Sequence, residues 1–172
     1  AVHDGEQGAR SFVVSSAGPA EGKSTTTANL AIALAETGSR VLLIDGDLRK
    51  PKVAEYMGIE GGTGLTNVLI NQAELTDVMQ RWGRGQLYVL PAGKVPPNPS
   101  ELLGSERMHA LLADLAEHAT VIVDAPPLLA VTDGAVLTRQ ADGALIVVSS
   151  GRTGYDIVDK AVDVLEKIQL GD

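Results

Sequence analysis

Ala17-Gly-Pro-Ala-Glu-Gly-Lys-Ser-Thr25 lies between an apolar run, Ser11–Ser16, and a stretch with helical periodicity. In that setting it reads as a phosphate-binding loop of the Walker A kind, in which a strand passes through a glycine-containing turn into a helix that opens with Lys-Ser. The chemistry asks for backbone N–H groups converging on phosphate oxygens at a helix N-terminus, where aligned peptide dipoles leave partial positive charge. Gly22 lets the main chain come close. Lys23 sets a cation against the β- and γ-phosphates, and the Ser24 hydroxyl is a ligand for magnesium. Ala17, Gly18, Pro19, Ala20, Glu21, Gly22, Lys23, Ser24 and Thr25 are therefore expected to hold a nucleoside triphosphate with its metal. Ala17 stands where the pattern has its first glycine, which a backbone with negative φ accommodates.

Working outward, short apolar runs alternate with helical patterns, the signature of a parallel sheet covered by helices. The expected strands are Ser11–Ser16, Arg40–Asp45, Leu87–Pro91, Thr120–Asp124 and Gly143–Ser149. Ala28, Ala31, Leu34 and Ala35 give the helix that follows the loop, with Gly38 at its end. Met108, Leu111, Leu112, Leu115 and Ala116 give a second amphipathic helix, and Ile157, Val158, Ala161, Val164, Leu165 and Ile168 a third. Between Pro51 and Gly85 only short helical pieces are expected, around Val53–Tyr56, Leu65–Ile70 and Leu75–Met79. The fold class is α/β, a P-loop NTPase with a doubly wound, mostly parallel sheet and helices on both faces.

With 172 residues and 44% apolar content, the chain supports one sizeable core, so it is expected to form one domain. Its 14 basic and 22 acidic residues argue against a surface built for nucleic acid or bare anionic membrane. No stretch approaches the roughly 20 apolar residues of a membrane span, and Ala1–Arg10 has no secretory apolar region, so a cytosolic location is expected. Zero cysteines exclude disulfides and thiolate metal sites, and His3, His109 and His118 are scattered. Ala rather than Met at position 1 suggests a fragment or a processed chain.

The loop has acidic partners. Val41-Leu-Leu-Ile-Asp45-Gly-Asp47-Leu-Arg49-Lys-Pro51 puts two carboxylates just past a strand's C-terminal end, the edge of an α/β sheet where ligands sit. Val121-Ile-Val-Asp124-Ala-Pro-Pro127 repeats the arrangement in Walker B form, before a rigid Pro-Pro turn. Three carboxylates and Ser24 provide the oxygen ligands, direct or through water, that a phosphate-bound magnesium takes. Arg49 can reach a phosphate, a neighbouring subunit or a structural ion pair. Asp133 lies near the nucleotide side if Pro126-Pro127 redirects the chain there, but it reads best as a helix cap before Ala135–Leu137, and Phe12 and Trp82 read as core or surface filler.

On Ala17–Thr25, Val41–Pro51, Leu90-Pro-Ala-Gly93, Pro96-Pro-Asn-Pro-Ser-Glu-Leu-Leu103 and Val121–Pro127, nearly the whole chain resembles the bacterial tyrosine kinases of the deviant Walker branch. The resemblance implies ATP and Mg2+ as cofactors. It gives Lys23 the clamping of phosphates, Ser24 a metal bond, and Asp47 and Asp124 the holding of magnesium through water. Asp45 becomes the base that takes the proton from a tyrosine hydroxyl, so that Lys23, Asp45 and Asp47 form the catalytic set. It also implies a membrane-bound activator, a polysaccharide co-polymerase, in exopolysaccharide or capsule export. A homo-oligomer and no nucleic acid partner go with it. The location is cytoplasmic, at the inner face of the plasma membrane through a partner or a fused transmembrane region.

Against the family pattern, Ala1–Arg10 holds no Glu/Arg helix, Tyr56, Tyr88 and Tyr155 form no tyrosine-rich tail, and the chain stops at Asp172 directly after its last helix. The resemblance thus implies truncation at both ends, with an unpaired edge at Gly143–Ser149 and weakened adenine binding. Two other readings stand beside the kinase. One is a positioning ATPase of the partitioning or septum-site type, although those relatives carry a signature lysine where this chain has Gly18. The other is a catalytically silent nucleotide-binding module.

Overall fold

Strands buried on both faces must alternate their side chains between two apolar layers. The computed structural model describes residues 10–16, 22–127 and 132–147. Its strands are β1 (Ser11–Ser16), β2 (Val41–Asp45), β3 (Gln80–Trp82), β4 (Leu87–Leu90), β5 (Thr120–Asp124) and β6 (Gly143–Val147). They form one sheet in the order β3-β4-β2-β5-β1-β6, in which every pairing is parallel except that of β3 with β4.

The alternation is visible along β2. Val41 and Leu43 join Phe12, Val14 and Ile122 against Ala28, Ala31 and Leu34 of α1 (Lys23–Glu36) and Val53 and Met57 of α2 (Val53–Met57). Leu42 and Ile44 face the other layer, with Val13, Val121 and Val123. That layer is covered by α3 (Leu65–Leu69), α4 (Leu75–Val78), α5 (Pro99–Leu103), α6 (Glu106–Ala116) and α7 (Asp133–Gln140) through Leu65, Val78, Leu103, Met108, Leu112 and Leu137. Full burial of one such leucine contributes about 2 kcal/mol, so the two layers together fix β2 and β5 firmly. Helices on both faces match the expected doubly wound form.

The strands expected at Arg40–Asp45 and Leu87–Pro91 each prove one residue shorter, and Gly143–Ser149 is described as far as Val147. The helix expected over Ile157–Ile168 lies outside the described residues, as do Val148 and Ser149. Two elements escaped periodicity because they are too short to show one. β3 has three residues, and its Trp82 Nε1 donates to the Met57 carbonyl at 2.9 Å. α5 has five residues and starts in a proline-rich stretch, with Pro99 in its first turn, where a missing N–H costs nothing.

In the sheet order, β5 lies between β2 and β1 and is parallel to both. The C-terminal ends of these three strands therefore share one edge, and Asp45, Asp124 and Ser16, the last residue of β1, all lie there.

Candidate phosphate-binding and catalytic site

Gly22 enters α1 at φ 83°, in the left-handed region that glycine tolerates and other residues resist. The first turn of α1 then turns polar groups toward β5. The buried Lys23 ammonium pairs with Asp124 Oδ1, and Ser24 Oγ donates to Asp124 Oδ2 at 2.8 Å. Thr27, one turn on, has its hydroxyl 2.8 Å from the Lys23 carbonyl and 3.1 Å from Asp124 Oδ1, its single proton serving one acceptor at a time. A fully buried carboxylate thus gathers a cation and two hydroxyls from one face of one helix.

Asp45 stands directly opposite Asp124 in the β2–β5 register and is equally buried. No cation meets it among the described residues. Its Oδ1 accepts the backbone N–H of Asp47 at 3.0 Å, and its Oδ2 accepts those of Lys52 at 3.0 Å and Val53 at 3.1 Å. The chain therefore curls around this carboxylate before α2 begins. Burial first, and then the negative charge of Asp124, push Asp45 up to about 7, against the downward pull of the three N–H bonds. Gly46 makes the curl possible. Its N–H donates to the Asp124 carbonyl at 2.7 Å, and a methyl group in its place would sit 2.8 Å from Val123 Cγ1 and 2.9 Å from Leu137 Cδ1.

Asp47 is half-buried, and its Oδ1 accepts the backbone N–H groups of Arg49 at 3.2 Å and Lys50 at 3.0 Å. The Arg49 side chain forms an ion pair. Its Nε and Nη2 donate to Asp133 Oδ2 at 2.9 Å and Oδ1 at 3.3 Å, which holds the guanidinium above its usual range. The capping role expected of Asp133 is thereby corrected: Thr132 occupies the cap position, while Asp133 is the first helical residue and is fully buried against Arg49 and the Ser100 hydroxyl.

A family model described as AAA domain matches residues 13–171. The tyrosine-protein kinase YwqD of Bacillus subtilis (strain 168) is 45% identical over 157 residues, 91% of this chain and 66% of that protein. The chain belongs to the bacterial tyrosine-protein kinase family. Among solved structures, the kinase domain of the Escherichia coli tyrosine kinase ETK superposes with a TM-score of 0.79 at 35% identity, covering 96% of this chain and 65% of that one. The septum site-determining protein MinD from Pyrococcus horikoshii OT3, complexed with Mg-ADP, gives 0.68 at 25% identity, covering 94% and 66%. The chain spans just under two thirds of the length of each of these proteins.

For this member of the kinase family, Lys23, Ser24 and Asp124 are in mutual contact and Asp45 is adjacent to Asp124 in register. Asp47 lies two residues past Asp45 and is tied to it through a backbone bond. Thr25 is half-buried in the first turn of α1. Ala17, Gly18, Pro19, Ala20 and Glu21 lie outside the described residues. The donors at the site are hydroxyl and carboxylate oxygens together with one ammonium, and these oxygens are of the kind magnesium selects. Thr27, Gly46 and Ser100 were not singled out by sequence reasoning. Thr27 was within reach of it, being four residues from Lys23 and so on the same helix face. Gly46 and Ser100 owe their contacts to tertiary approach, which spacing does not display.

Proposed function

We propose that this chain is an ATP- and magnesium-dependent protein tyrosine kinase domain, autophosphorylating in type and built as a single unit across residues 1–172. The observation that carries the reading is the gathering of Lys23, Ser24 and Thr27 on Asp124 beside Asp45, at the sheet edge where an α/β fold takes its ligand. Lys23 exchanges Asp124 for the β- and γ-phosphate oxygens. Ser24 would be a ligand of the magnesium, Asp47 and Asp124 would hold its waters, and backbone N–H groups of the Ala17–Thr25 loop would bind the phosphates. Magnesium supplies charge neutralisation on the phosphates when bound.

The tyrosine hydroxyl oxygen attacks the γ-phosphorus, its new O–P bond forming as the bond to the β–γ bridging oxygen breaks and ADP leaves. The phenol proton passes to Asp45. Two features support that assignment. A carboxyl pushed up to about 7 is matched to proton transfer at neutral pH. Three N–H bonds also fill only three of a carboxylate's roughly four acceptor directions, leaving one on Oδ1.

The family resemblance supports the wider setting of a cytoplasmic enzyme working with a membrane-bound activator, as a homo-oligomer, in exopolysaccharide or capsule synthesis and export. Among the described residues no helix is long and apolar enough to cross a membrane. The test is incubation with γ-labelled ATP, magnesium and a tyrosine-bearing peptide. Phosphotyrosine on the peptide or the chain is expected. Release of inorganic phosphate alone would favour the positioning-ATPase reading, and nucleotide binding with neither product would favour a silent module.

A further inference from the structure

We infer that Arg49 is a positioning residue, anchored by Asp133 and Ser100 so that its backbone N–H holds the Asp47 carboxylate in place for magnesium. The inference rests on the proposed function only in taking Asp47 as part of the metal's surroundings. The contacts form a continuous path. Asp133 is fully buried and fixed by the Ser100 hydroxyl of α5, and it receives Nε and Nη2 of Arg49 at 2.9 and 3.3 Å. Such a two-pronged contact sets the plane of the guanidinium, which a single point charge does not do. The Arg49 backbone N–H then donates to Asp47 Oδ1 at 3.2 Å, next to that of Lys50 at 3.0 Å. Asp47 in turn donates its own N–H to Asp45 Oδ1 at 3.0 Å.

The position of Arg49 makes this anchorage informative. Its side chain is 44% exposed, and a surface arginine that pairs gives up rotamer freedom for little net gain. Here its partner lies at 0% exposure, on an element 84 residues away in sequence. The pair thus joins the loop after β2 to the start of α7 and, through Ser100, to α5. All three segments lie near the edge that carries Asp45 and Asp124. A carboxylate that orients metal-bound water needs such support, and loss of supporting contacts of this kind typically weakens metal affinity by about 10- to 100-fold.

The experiment measures binding, not turnover. A fluorescent ATP analogue is titrated into the full chain without magnesium and then across a magnesium series, for the wild type, Arg49→Lys, Asp133→Asn and the double variant, with thermal melting recorded for each. Arg49→Lys keeps the charge and loses the fork. We expect each single variant to raise the magnesium concentration at half-effect by about tenfold, with magnesium-free affinity changed by less than about twofold and the double variant no worse than the worse single one. An unchanged magnesium half-point in Arg49→Lys would overturn the inference, as would a magnesium-free affinity that falls equally, since the latter marks a direct phosphate contact. Should Asp133→Asn fail to fold, Arg49→Lys decides alone. A wild-type chain that binds nucleotide with magnesium and phosphorylates no tyrosine would sink the kinase reading while leaving this test intact.

Discussion

Asp124 and Asp45 end neighbouring strands in register and are equally buried, but their charges are met in different ways. Asp124 has the Lys23 ammonium and two hydroxyls from α1. Asp45 has three backbone N–H groups from its own loop, with Asp124 as a like charge beside it. A cation offsets most of the cost of desolvating one carboxylate, whereas dipoles offset less and leave the other holding its proton up to about 7. The same sheet edge therefore offers one carboxylate paired with a cation and one met by dipoles alone and suited to proton exchange, two different roles for phosphoryl transfer.

The largest effect should come from removing the cation. Lys23→Met leaves Asp124 and Asp45 together without a counter-charge and takes the ammonium from the phosphates. Phosphoryl transfer should fall about 10²- to 10³-fold, and urea unfolding should show about 3 kcal/mol less stability. Retained transfer would break the comparison at its stronger half. Asp45→Asn addresses the weaker half, and should cut transfer about 100-fold with nucleotide affinity reduced no more than about threefold. A loss of nucleotide binding as severe as in Lys23→Met would leave the base role unsupported.

Smaller effects sharpen the picture. Gly46→Ala forces a methyl to 2.8 Å from Val123 Cγ1 and 2.9 Å from Leu137 Cδ1, and should cost about 1–3 kcal/mol in urea unfolding. A neutral result would show that the β2–β5 edge has slack. The pH dependence of stability comes last. Asp45 has a folded value of about 7 against 3.8 unfolded, so between these the native state keeps a proton that the unfolded chain has lost. Its contribution is complete below 3.8 and is lost as pH rises through 7. Wild type minus Asp45→Asn should therefore lose about 1 kcal/mol per pH unit between about pH 5 and 7. A flat difference would place Asp45 among ordinary carboxylates.

Much of this edge was legible in the sequence because it is built from strand ends. Val41–Ile44 and Val121–Val123 read as buried strands from their apolar runs, and an aspartate directly after such a run must fall at the sheet's C-terminal edge. The Lys23-Ser24 pair at a helix start carried its chemistry with it. The Arg49–Asp133–Ser100 contacts were not legible, since their separations of 84 and 33 residues leave no local pattern. Nor was the way the chain curls so that Lys52 and Val53 reach Asp45, because these are backbone donors and any residue type but proline could supply them. β3 and α5 were missed for want of length, while the helical pieces expected around Val53–Tyr56, Leu65–Ile70 and Leu75–Met79 appear as α2, α3 and α4.

The central claim is that this edge transfers phosphate from ATP to tyrosine with Asp45 as base. Single-turnover transfer to a tyrosine-bearing peptide, measured with saturating ATP and magnesium from about pH 5.5 to about pH 8.5, tests it most directly. The account predicts that phosphotyrosine forms and that its rate climbs with pH through a titration that Asp45→Asn abolishes. A rate that stays flat across the range, or ATP turned over with no phosphotyrosine at any pH, would contradict it.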